Sequence, residues 1–152
     1  MKEKLEFLIN KYPSLLRNLD TEEKGRWGKM NVLQMIEHMS DSIREANGKI
    51  PRTLLSAPDK VPAMKEFLMS EKEFRPNTKN ALMPDEPLPA RHKSKEDAIQ
   101  ELEKELGDFR QLYTQDPNTV ITNPFFGQLH YDEWVQLLHK HAIHHLRQFG
   151  GY

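Results

Sequence analysis

Leu5, Leu8, Ile9, Tyr12, Leu15 and Leu16 recur every three to four residues, which predicts an amphipathic helix over residues 2–18. Pro13 falls inside it. Proline removes one backbone donor and crowds the carbonyl one turn back, so a kink or a restart is expected there. Residues 21–30 hold Gly25, Trp27 and Gly28 and read as a loop. A second helix begins after Asn31, a good N-cap residue, with Val32, Met35, Ile36, Met39, Ile43 and Ala46 on one apolar stripe and Gly48 as its stop. Residues 50–62 are rich in proline. Met64, Phe67 and Leu68 suggest a short helix over 63–74, and residues 75–93, with Pro76, Pro84, Pro87 and Pro89, read as an irregular surface segment.

A third long helix opens at Ser94, with Asp97 three residues on, and buries Ala98, Leu102, Leu106, Phe109, Leu112 and Tyr113 before Asp116-Pro117-Asn118 ends it. Residues 119–129 read as a loop; the only β-like run, 120–122, is too short to predict a strand. The last helix is expected over 131–149, with Asp132 and Glu133 suited to the positive end of its dipole and Gly150-Gly151 closing it. Four long helices without a convincing strand predict an all-α four-helix bundle with one extra short helix and a long proline-rich loop.

The length of 152 residues suggests a single domain over 1–152, large enough to build a core without disulfides. Charged residues make up 30%, a water-soluble composition, yet the net charge is −1, so neither a nucleic-acid footprint nor a basic membrane patch is expected. Cysteine is absent, which excludes a thiolate nucleophile or thiolate metal site from this chain and fits a cytoplasmic protein. Residues 1–6 mix acids with bases and hold no apolar run, so a secretory signal is not expected. No stretch reaches the roughly 18 apolar residues of a membrane span.

Five of the seven histidines crowd towards the C-terminus: His130, His139, His141, His144 and His145. At about 100° per residue, Trp134, Leu138, His141, His145 and Gln148 fall on one stripe of the last helix. His141 and His145 therefore point inward one turn apart, while His139 points away and His144 sits at the edge. Buried imidazoles need partners, and a pair at i, i+4 can chelate a cation. The glutamate that makes such a pair hydrolytic in metalloproteases is missing from His141-Ala142-Ile143-His144-His145. For His92, in a loop, and His130, at a helix start, capping is the simpler expectation. His38, the only histidine of the second helix, lies about 240° round from Val32, on a flank it shares with Asp41 and Glu45.

The run Asn31-Val32-Leu33-Gln34-Met35-Ile36-Glu37-His38-Met39-Ser40-Asp41, the pattern His141-Ala142-Ile143-His144-His145-Leu146-Arg147-Gln148 and the segment Pro124-Phe125-Phe126-Gly127-Gln128-Leu129 together resemble the DinB/YfiT-like superfamily. The resemblance implies a four-helix bundle whose metal is held by His38, His141 and His145, with Gln148 supporting or packing against them. Three neutral ligands leave at least one coordination position open. Histidine donors suit zinc or nickel foremost, and copper or iron as well. The resemblance further implies a metal-dependent thiol (S-)transferase acting on a small-molecule substrate with an external low-molecular-weight thiol. A metal-dependent hydrolase with Glu37, Asp41 or Glu45 as base, or a metal-binding bundle without turnover, remain the alternatives, and dimerisation through a helix face is a further expectation.

Overall fold

The computed structural model describes residues 1–78 and 80–152; Lys79, inside the irregular stretch expected over 75–93, lies outside the described residues. The N-terminal helix comes in three pieces. α1 (Lys2–Glu6) widens into a π-helical turn (Phe7–Lys11), and α2 (Tyr12–Arg17) restarts with Pro13 in its first turn, where its missing N–H is not needed. The interruption leaves Leu8, Tyr12 and Leu16 all buried against the later helices.

α3 (Val32–Ala46) starts from a reciprocal cap: Asn31 accepts from the Gln34 backbone N–H at 2.8 Å, and Gln34 accepts from that of Asn31 at 2.9 Å. Its apolar stripe is fully buried, and it packs most extensively on α5 (Lys95–Gln115), whose Ala98, Ile99, Leu102, Leu106 and Phe109 face it. The Ser94 side chain caps α5 by accepting from the Asp97 N–H. α6 (Tyr131–Gln148) packs on α3, on α1 and α2, and on the short α4 (Val61–Met69). The buried side chains form one continuous apolar cluster. Each fully buried Leu, Ile or Phe contributes roughly 1.5–3 kcal/mol, so this cluster, rather than surface ion pairs, holds the helices in place.

Two expectations need correction. The chain is mostly helical, consistent with the all-α class, but residues 119–129 are not all loop: β1 (Ile121–Asn123) and β2 (Gly127–Leu129) form an antiparallel hairpin with Ile121 opposite Leu129 and Asn123 opposite Gly127. The turn is closed by the Asn123 side chain, which accepts from the N–H groups of Phe125 and Phe126. The short helix starts at Val61, after a 3-10 turn (Pro58–Lys60), and stops at Met69 rather than reaching residue 74. Pro62 fits in its first turn. Phe74 lies beyond it in irregular backbone, where its ring reaches the histidines of α6.

Gly127 has φ +80°, and a Cβ there would meet a Val61 methyl at 3.0 Å. Gly127→Ala is therefore expected to cost about 1–3 kcal/mol through backbone strain and crowding at the hairpin–α4 contact. Urea denaturation of the variant beside the parent checks this.

Candidate metal centre

The α6 stripe that begins with buried Trp134 and Leu138 continues through His141 and His145. His145 is buried and His141 half-buried, one helical turn apart. His38 comes from the middle of α3. It is half-buried while Met35, Ile36 and Met39 beside it are fully buried, so it does occupy the flank its periodicity assigns. That flank faces α6: Nε2 of His38 lies 3.0 Å from Nε2 of His141, and Nε2 of His145 lies 2.9 Å from the same atom. The structure thus brings together the three histidines singled out in the sequence. Among the described residues they form a group that could hold a metal ion.

The chemistry of these contacts fits a cation. An imidazole Nε2 has one in-plane site, which carries either a hydrogen or a lone pair. His141 Nε2 touches two other ring nitrogens and can pair with only one of them through a hydrogen. Three lone pairs turned on one cation would satisfy all three at once. Metal–nitrogen bonds of about 2.0–2.1 Å place cis donors roughly 2.9–3.4 Å apart, a range that includes both contacts.

Electrostatics favours the ligating form. Burial pushes the His38 imidazole down to about 4 from an ordinary 6.5, against the pull of Asp41. Burial, and then the neighbouring histidines, push His141 and His145 well below the same value. All three stay neutral at neutral pH, with lone pairs available. The consequence for the metal-free protein has a definite sign. Below pH 6.5 the unfolded chain takes up protons that the folded chain refuses, so stability present above 6.5 is lost as pH falls towards 4. The urea midpoint is expected to fall between pH 7 and pH 5, and His38→Gln, which cannot titrate, is expected to reduce that fall.

The surroundings are aromatic on one side. The Phe74 ring stands edge-on to His141 and His144 at 6.2 and 5.9 Å, and Trp27, from the loop before α3, packs 5.2 Å from His144. Gln148 contacts both His145 and the backbone of Trp27. On the α3 side lies a charged strap. Glu37 accepts from the backbone N–H groups of Arg91 and His92, and the His92 ring bridges the Glu37 and Glu101 carboxylates. Burial alone would raise the Glu37 carboxyl, but these donors outweigh it and hold it below the ordinary carboxylate value. Asp41 is paired with Arg44 and Arg91.

The other histidines are not members of this group. His130 occupies the N-cap position of α6, where its backbone N–H donates to the Glu133 carboxylate at 2.9 Å. His139 packs edge-on against Phe7. His144 stands edge-on to His145 at 4.9 Å, and among the described residues its ring nitrogens make no bond to the three. His92 is not a loop cap but the clasp of the strap, a role its position in a proline-rich stretch gives no means of reading. Phe74 and Trp27 were missed too; only the glycines on either side of Trp27 hinted at a built loop.

A mostly helical chain that carries one histidine from a middle helix to an i, i+4 pair on its last helix has the makings of a metal-binding helical protein. The family comparison agrees: the chain matches the DinB superfamily over residues 4–149 and belongs to it. No curated protein and no solved structure shows a significant match to the chain. Among the described residues no helix is long and apolar enough to cross a membrane.

Proposed function

We propose that this chain is a single-domain, cytoplasmic four-helix bundle of the DinB superfamily that holds one divalent metal ion, zinc or nickel foremost, with His38, His141 and His145, and works as a metal-dependent thiol (S-)transferase. The observation that carries the reading is the pair of Nε2–Nε2 contacts at 3.0 and 2.9 Å, made by neutral, buried or half-buried imidazoles with no carboxylate among them. A dication held by neutral donors keeps its charge and would acidify a protic group brought to it, such as the thiol of an external low-molecular-weight cofactor. The chain's own residues supply orientation and shelter. His38 joins α3 to α6 across the centre, and Phe74 walls off one side.

The hydrolase alternative needs a free carboxylate to take a proton from water, and two of the three candidates support it poorly. Glu37 is engaged by the Arg91 and His92 backbone and Asp41 by two guanidiniums. Glu45 is left as the third candidate: burial raises its carboxyl, against the pull of Arg52 at 3.7 Å.

The test is direct. The zinc-loaded and nickel-loaded protein is incubated with low-molecular-weight thiols and an electrophilic acceptor, and separately with ester and amide substrates. Thiol-dependent turnover supports the transferase, thiol-independent hydrolysis the alternative. Metal binding without either overturns both activities and leaves a binding protein.

A further inference from the structure

Gln148 is 2% exposed and sits three residues beyond His145, at the end of α6. Its amide nitrogen lies 2.8 Å from the backbone carbonyl oxygen of Trp27, and its amide oxygen 2.7 Å from Nδ1 of His145. The two ends of this chain of contacts are not equivalent. A backbone carbonyl can only accept, so the Trp27 end fixes which way the amide points: the nitrogen donates to Trp27, and the oxygen is left to accept. An oxygen acceptor at hydrogen-bond distance from an imidazole nitrogen requires that nitrogen to carry the hydrogen.

We infer that Gln148 is a positioning residue that locks His145 in its Nδ1–H tautomer and turns the ring's Nε2 lone pair towards His141 Nε2. A tautomer fixed in this way is what a histidine ligand needs to present a lone pair at the other nitrogen. His145 is the one member of the cluster whose Nδ1 has a protein partner among the described residues. It is therefore the pre-set ligand, and His38 and His141 are the adaptable ones. The loop before α3 is shaped around the amide. The Arg26 N–H donates to the Gln148 carbonyl at 2.8 Å, and a Cβ on Gly28, whose φ is +75°, would lie 2.9 Å from the Gln148 amide nitrogen. A Cβ on Gly25 would lie 3.3 Å from its Cγ. The effect on metal affinity rests on the metal-binding reading above; the tautomer itself does not.

The experiment reads the two separately. Long-range proton–nitrogen correlations through the imidazole rings of the metal-free, nitrogen-15-labelled protein report which nitrogen of His145 is protonated, and zinc competition against a chelating dye reports affinity. The wild type is expected to show His145 protonated at Nδ1. Gln148→Leu, which removes the acceptor, is expected to lose that preference and to bind zinc about 10–100-fold more weakly. Gln148→Glu can accept from His145 but, as a carboxylate, cannot donate to Trp27. It is expected to keep the Nδ1–H tautomer and an affinity near wild type. A residue that merely tied the loop to the helix would make Glu as damaging as Leu. The inference is overturned if wild-type His145 is protonated at Nε2, if Gln148→Leu changes neither readout, or if Gln148→Glu falls with Gln148→Leu. Should Gln148→Leu fail to fold, the wild-type spectrum and Gln148→Glu still decide. An Nδ1–H tautomer in a protein that binds no zinc in any form supports the lock and sinks the metal reading alone.

Discussion

His141→Ala is expected to abolish one-to-one binding of a divalent metal ion. His141 is the hub of the cluster: its Nε2 touches the Nε2 of both His38 and His145. Removing it leaves two donors with nothing between them. The loss should exceed the roughly 10–100-fold that follows from removing a group behind a ligand, because here a ligand itself is lost. Alanine is a good helix former, so α6 should survive. Folding is also relieved of a buried imidazole that resists protonation. His139→Ala is the matched control, since that ring packs on Phe7 and is expected to leave affinity unchanged. Zinc competition titrations on the three proteins check the result.

Trp134→Ala is expected to be the most destabilising single change, at about 3–5 kcal/mol. Trp134 is 1% exposed and heads the fully buried side chains by volume. Its indole N–H donates to the Ile121 carbonyl at 3.2 Å, so the same residue fills the core and anchors the hairpin. Alanine would leave a cavity and remove the hairpin's bond to α6. Against the 5–15 kcal/mol that holds a typical domain together, that is a large share. Urea denaturation should show a lower midpoint with little change in slope. A loss below about 1 kcal/mol would mean that the core collapses around the missing ring far more readily than close packing allows.

The long helices were legible because their signals repeat. The stripe from Val32 to Ala46 spans four turns, and the capping residues Asn31 and Ser94 act on backbone within three residues of themselves. The α6 stripe was legible for the same reason, and with it the inward direction of His141 and His145. The hairpin was not. Three-residue strands are too short to show a period of two, and the Asn123 turn that closes them is a local hydrogen-bond pattern hidden in what reads as loop. His38 shows a different limit. Periodicity measures a residue's angle from its own helix's core stripe, not from the neighbouring helix that approaches its flank. Its place in the cluster came from family resemblance, and the Nε2 contact with His141 supplies the geometry. The clasp of His92 between Glu37 and Glu101 joins residues 55 and 9 positions apart. No local pattern encodes it, because the irregular chain between residues 75 and 93 decides which residues meet.

X-ray absorption at the zinc edge, on protein loaded with one equivalent of zinc, tests the central claim most directly. The account predicts three nitrogen scatterers at about 2.0–2.1 Å with the outer-shell signature of imidazole rings. A spectrum of oxygen scatterers alone, or of a single imidazole, would contradict it.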